Sequence, residues 1–341
     1  PLPSPLSPLP DMAKRDRTRE ALDALTEVVR ADPRSPEAGA ALTEALAARS
    51  NLVVARAITS ITDAELPGFG ARIEAAFHRA MRDPLRRDPG CRTKTAAVRA
   101  LDALREPADA LFLAGVRHVQ PEPVWGGTQD SAVALRGLSA MALVHRRHPE
   151  ALSELARLLA DPEREARRMA ADAIAVHGDP VSGVPLLTLR ICIGDPEPEV
   201  SVACLAALLD LDPEQGLSFA REQLRADDPT RAESAALALA QSRPEGAFAA
   251  LREFAEGCLG DQRQVAFLAL SMLRSEAAWA LLLEVITEAE VGPALAAIEA
   301  LAIYREHGQL ATRVQEALAG RQGDSSRESA SLDDALGEHF G

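Results

Sequence analysis

Aromatic residues make up only 3% of the 341 residues, and Lys14 and Lys94 are the only lysines among 37 basic side chains. With so few rings, the core has to come from Ala, Leu, Val and Ile, a composition suited to closely spaced helices. The same scarcity disfavours base stacking on a nucleic acid. The lysine deficit accompanies an excess of Ala and reads as coding bias. Cys91, Cys192, Cys204 and Cys258 are scattered with no C-x-x-C pair. Each falls among apolar helical residues, so buried reduced thiols and a cytoplasmic home are expected. No apolar run approaches the roughly 18 residues needed to cross a bilayer, and the N-terminus lacks a charged-then-apolar signal, so no membrane association is expected. The chain opens on Pro1 rather than Met, which leaves open what precedes it.

Catalytic signatures are also missing. G-x-x-x-x-G-K, G-x-G-x-x-G, G-x-S-x-G and H-E-x-x-H do not occur, so no catalytic residue, cofactor or metal is assigned and the chain is expected not to be an enzyme. His145 and His148 are three apart, but Arg146 and Arg147 lie between them and no third ligand is near. They read as a surface helix end rather than a metal site.

What is present is helical periodicity. Between about Asp16 and Gly320 apolar residues recur at helix spacing. Asp-Pro pairs at Asp32, Asp83, Asp88, Asp161, Asp195, Asp212 and Asp228 punctuate the pattern, with Asp suited to a cap and Pro to a first turn. They delimit helices of roughly 10 to 16 residues. The segments DPEREARRMAADAI, DPEPEVSVACLAAL and DDPTRAESAALALA superpose without gaps. Taking the position six after the leading Asp as anchor gives Arg167, Ser201 and Glu233, with looser matches at Lys94, Arg136, Ala266 and Ala294. Their spacings of 42, 31, 34, 32, 33 and 28 residues are those of a two-helix unit.

These segments resemble the HEAT-repeat family, particularly its short bacterial form, over most of residues 88 to 305. The stretches Thr18 to Arg30 and Asn51 to Ile61 look like degenerate members. The resemblance implies an all-α fold, an α-α superhelix or solenoid of about eight or nine helical hairpins, on the order of 80 Å long and curved. The expected organisation is a Pro-rich extended tail over 1-16, the solenoid over 17-320 and a disordered tail over 321-341. The resemblance further implies a ladder between an Asp and a basic residue six positions on. Asp88 with Lys94, Asp130 with Arg136, and Asp161 with Arg167 fit it, and the later repeats do not.

Departures from the repeat are where function is sought. The longest interval contains HVQPEPVWGGTQD, residues 118 to 130, whose prolines and glycines exclude regular helix and which carries Trp125. It is either a recognition element or a ring folded back over the edge of the stack. Arg79, Arg82, Arg86, Arg87, Arg92, Lys94 and Arg99 gather around one interhelical loop. An acidic partner or phosphate would bind there, unless these are simply solvated side chains. Residues 1 to 170 hold 25 basic and 23 acidic side chains, and residues 171 to 341 hold 12 and 28, netting +2 and −16. In the C-terminal stretch, Leu332, Leu336 and Phe340 stand four apart, as in a short amphipathic docking helix.

The leading expectation is a non-enzymatic protein-interaction scaffold. Trp125, Arg82, Arg86, Arg87 and Arg92 are its partner-binding candidates, and the acidic C-terminal half faces a protein partner of basic character. The alternative is nucleic-acid binding through the basic N-terminal half, with an architecture like that of the HEAT-like DNA glycosylases. The net charge of −14 and the few aromatics disfavour it. A third class, enzyme subunits resembling HEAT-like bilin lyases, shares the repeat without a supporting residue here.

Overall fold

In the computed structural model, residues 10-321 and 326-340 are described. Contacts divide the chain into two compact units, Pro1–His177 and Gly178–Gly341. The first opens with α1 (Pro10–Ala31) and continues as four hairpins, α2 (Pro36–Leu46) with α3 (Asn51–Asp63), α4 (Gly70–Arg82) with α6 (Arg92–Ala103), α7 (Asp109–Val116) with α8 (Val133–His145), and α9 (Ala151–Leu158) with α10 (Arg164–His177). A one-turn helix, α5 (Pro84–Arg87), and a 3₁₀ turn, Pro89–Cys91, interrupt the second hairpin. Two short strands, β1 (Pro121–Val124) and β2 (Gly127–Asp130), interrupt the third.

The second unit is five hairpins. They are α11 (Pro180–Ile193) with α12 (Pro198–Leu211), α13 (Pro213–Leu224) with α14 (Pro229–Ser242), α15 (Ala247–Gly257) with α16 (Asp261–Met272), α17 (Glu276–Glu288) with α18 (Val291–Ala302), and α19 (Gly308–Ala319) with α20 (Ser326–Phe340). In each unit the second helices form one continuous packed row, α3, α6, α8 and α10 in the first, with α1 packed on α3 at its start, and α12, α14, α16, α18 and α20 in the second. The all-α expectation therefore holds, with nine hairpins among the described residues.

Local chemistry explains the helix starts. The carboxylates of Asp161, Asp195 and Asp228 each accept the backbone N–H two residues on, at 2.9, 2.9 and 3.0 Å, and Asp212 accepts that of Gln215 at 3.0 Å. Asp161 and Asp195 bond Glu163 and Glu197, the residues just before α10 and α12 begin, whereas the Asp212 and Asp228 bonds satisfy donors inside α13 and α14 that the helix itself cannot. Asp179, ahead of Pro180, caps α11 in the same way at 3.1 Å. The core is dominated by small aliphatic residues; Phe77 and Phe112 are the largest fully buried rings.

Three expectations need correction. The Pro-rich segment of residues 1 to 9 lies outside the described residues, but residues 10 to 16, expected to extend it, are the start of α1. Pro10 takes the first helical position, where its missing N–H costs nothing. The C-terminal segment expected to be disordered forms α20, the second helix of the last hairpin, with Leu332 fully buried and the helix packed on α18. Its Leu332 to Leu336 spacing supplies the apolar stripe, and exposed Asp333, Asp334 and Glu338 give the end of the stack a polar outer face. Arg321 ties the preceding turn down by donating to the carbonyls of Ile286 and Ala289 at 2.5 and 2.9 Å. Finally, Cys192 is exposed on α11, whereas Cys91, Cys204 and Cys258 are buried free thiols.

At Gly216 the side-chain position of one helix meets the backbone of the next, and a Cβ would lie 2.8 Å from the Cα of Leu209 and 3.0 Å from its N. Backbone cannot yield as a side chain does, so α13 must shift to admit even a methyl group. Gly216→Ala should lower unfolding stability by about 1 to 3 kcal/mol, the cost typical of overpacking. A urea titration followed by circular dichroism checks this, and an unchanged midpoint contradicts it.

Candidate protein-docking surface

The irregular segment between α4 and α6 is built around one buried ion pair. Asp83-Pro84 and Asp88-Pro89 break the helix twice, and Gly90 and Cys91 then take left-handed backbone angles, φ +71° and +54°. This reversal sets the Asp88 carboxylate over the first turn of α6, where it accepts from the N–H groups of Thr93 (2.8 Å) and Lys94 (3.1 Å). The Lys94 ammonium reaches Asp88 Oδ2 at 3.2 Å, and neither side chain is exposed at all. Asn51 donates to Asp88 Oδ1 at 3.1 Å, and Lys94 Nζ also donates to Gln120 Oε1 at 2.7 Å. Charges removed from water need such a full set of partners. Burial also pushes the neighbouring Cys91 thiol up to about 12, against the ammonium of Lys94, which lowers it.

Gln120 carries the order of this pair into the 118-130 segment. Its amide donates to the Asp88 carbonyl (2.8 Å) and to Glu122 Oε1 (2.7 Å). That same oxygen of Glu122 accepts from Gly90 N (2.7 Å) and Ser131 Oγ (2.5 Å). On the other strand, Asp130 Oδ1 accepts from the N–H groups of Gln120 and Ala132, each at 2.9 Å. Arg136, with its side chain 3% exposed, pairs with Asp130 and forks onto both oxygens of Asp161 at 2.8 and 2.9 Å. The carboxylate that the repeat pattern assigned to Arg167 is thus shared with Arg136, and Arg167 donates to the carbonyls of Asp161 and Pro162.

The segment is a β-hairpin, β1 antiparallel to β2 with Val124 opposite Gly127. The two-residue turn is Trp125-Gly126, and Gly126 takes φ +88°, a conformation that costs glycine little. Pro121 and Pro123 are tolerated because neither strand has a second neighbour. Trp125 is fully exposed at the tip, so the ring does not fold back over the stack. It sits three residues past Glu122, about 10 Å along the strand from the anchored base.

Exposed Arg82, Arg86, Arg87 and Arg92 surround the anchoring loop. Arg86 and Arg87 line a hollow of about 490 Å³ with Arg49 and Arg79. Arg92 and Arg99 line another of about 470 Å³, bordered by Ser131 at the hairpin base. Arg82 lines neither of them. Lys94 does not belong to this solvent-facing set, because it is consumed inside the fold. Arg79 is half committed, donating to the Leu46 carbonyl. His145 pairs with Asp102 at 2.8 Å, while His148 accepts from Glu150 N at 3.2 Å.

No protein-family model and no curated protein matches the chain. Among solved structures it is similar to the complex of CpcE and CpcF of phycocyanin lyase from Nostoc sp. PCC7120, at 18% identity and a TM-score of 0.37, over 78% of this chain and 94% of that one. It is also similar to an engineered protein at 16% identity and a TM-score of 0.39, over 98% and 97% of the two chains. The expectation that the chain is not an enzyme is corrected here: one of these structures is a lyase complex, and missing motifs do not exclude catalysis. No helix among the described residues is long and apolar enough to cross a membrane.

The hairpin's anchors give it a pH dependence. Burial pushes the Glu122 and Asp130 carboxyls up, but their hydrogen bonds outweigh it and leave both below their ordinary values of 4.5 and 3.8. Depressed carboxylates stabilise the folded state above those ordinary values, and that stability is lost as pH falls through the lower folded-state values. Denaturant titration of Glu122→Gln should therefore show a deficit against the wild type at pH 7 that closes as the pH falls through the lowered folded-state value. A deficit independent of pH would exclude the assigned role.

Proposed function

We propose that the chain is a protein-interaction scaffold of the HEAT type, with its docking surface on the Trp125 hairpin and the arginines of the 82-92 segment. The observation that carries this reading is a fully exposed tryptophan on a hairpin whose base is fixed by buried charge. Exposing that much apolar surface is unfavourable in water, whereas tryptophan and arginine are the residues most often found to dominate binding energy in interfaces. Holding the ring on an ordered base reduces the entropy lost when a partner closes over it. Arg82, Arg86, Arg87 and Arg92 add positive charge around the hairpin base and orient an acidic partner. The acidic second unit fits a separate, basic partner. Nothing aromatic lines the arginine hollow, as stacking on a nucleic acid would require.

Trp125 makes no packing contact that its loss would empty, so Trp125→Ala should leave thermal unfolding unchanged. Affinity purification from the producing cells, quantified by mass spectrometry, tests the reading. Partners recovered with the wild type should fall at least tenfold with Trp125→Ala, matching a hot-spot loss of about 2 kcal/mol. Equal recovery removes Trp125 from the interface.

A further inference from the structure

A second feature of the first unit adjoins the arginines of the 82-92 segment. Between α1 and α3 runs a trough of about 930 Å³, and it adjoins the 490 Å³ hollow described above. The two share Ala48, Arg49, Asn51, Arg86 and Arg87, so three arginines stand where they meet. We propose that this trough holds an acidic, apolar-bearing peptide segment of a partner protein, with its carboxylates on Arg49, Arg86 and Arg87 and its apolar side chains on the trough floor. The proposal rests on the reading of the chain as a protein-interaction scaffold, at a place distinct from Trp125.

Charge is the first argument. Among the described residues, Arg49, Arg86 and Arg87 make no ion pair, and the acidic side chains lining the two hollows are Asp23 and Asp83. Asp23 already faces Arg19 at 3.9 Å. A chain with a net charge of −14 thus gathers three cations at one spot with a single remaining carboxylate, Asp83, on the lining. Mutual repulsion disfavours such a cluster until an anion joins it, and the planar guanidinium suits a carboxylate through two parallel hydrogen bonds.

Apolar surface is the second argument, and it decides among anions. Leu22, Leu52, Val53 and Pro89 line the trough, and Leu52 is 42% exposed. A free phosphate has nothing to place there, and a nucleic acid finds no ring to stack on. An acidic segment carrying Leu or Phe satisfies both the cations and the floor. The volume lies near the top of the range for compact small-molecule sites, about 300 to 1,000 Å³, which leaves room for several residues of an extended or helical segment.

Selection of random 12-residue peptides displayed on phage against the full chain tests the proposal. Enriched peptides should combine Asp or Glu with Leu, Ile, Phe or Met. A fluorescein-labelled copy of the best peptide, titrated by anisotropy, should bind at least tenfold more weakly to the Arg86→Glu/Arg87→Glu variant, and likewise to Leu52→Asp. Both changes are at exposed positions, and circular dichroism confirms the fold of each variant. Trp125→Ala should leave this affinity unchanged. Enriched peptides without excess acid overturn the proposal, as does affinity indifferent to the Arg86, Arg87 and Leu52 changes. A labelled single-stranded 20-mer that binds more tightly than the peptide, with the same variant dependence, overturns it in favour of nucleic acid. Peptide binding lost with Trp125→Ala alone moves the site to the hairpin, while trough binding intact beside a failed Trp125 capture test sinks only the hairpin reading.

Discussion

The first unit depends on the ion pair between Asp88 and Lys94, closed off from water. Breaking such a pair by removing one partner costs about 3 to 5 kcal/mol, because the remaining charge is left buried alone. Here the cost extends beyond the pair. Asp88 caps α6 and holds Asn51 at the start of α3, and Lys94 fixes Gln120, from which the β-hairpin is hung. One interaction therefore sets the entry to a helix, the junction with the neighbouring hairpin and the base under Trp125. Replacing the ladder by small apolar residues, as at Ala266 and Ala294 in the second unit, keeps the helix packing but loses this link to an inserted segment.

That contrast between the units is consistent with their charge. The described second unit is a plain array, closed by a helix whose outer face is acidic. The first carries the broken α4 to α6 connection, the two-stranded insertion and the hollows lined by Arg49, Arg79, Arg86, Arg87 and Arg92. Stacked helices alone give a regular surface, and these interruptions make one part of it distinctive.

Much of the repeat was readable because its determinants are local. Every anchor from Lys94 to Ala294 falls on a second helix, and Asp212 and Asp228 cap as their Asp-Pro context implies, while Asp161 and Asp195 turn the chain just ahead of α10 and α12. The site was readable only in outline. Pro121, Pro123, Gly126 and Gly127 exclude a helix without specifying a hairpin. Lys94 finds Gln120 26 positions away, a distance no periodicity encodes. The six-residue step from Asp88 to Lys94 was the available signal, but as part of a cluster it looked like surface charge rather than buried structure. At the C-terminus, glycine and serine content outweighed the Leu332 to Leu336 spacing, although the spacing describes α20 correctly.

The central claim is that buried charge holds the Trp125 hairpin in order. Hydrogen exchange followed by mass spectrometry on the wild type and on Lys94→Met measures this directly. The account predicts slow exchange in peptides covering 88-94 and 117-131 of the wild type, with protection lost in both together in the variant. Exchange of residues 117-131 within seconds in the wild type, or protection there that survives Lys94→Met, would contradict it.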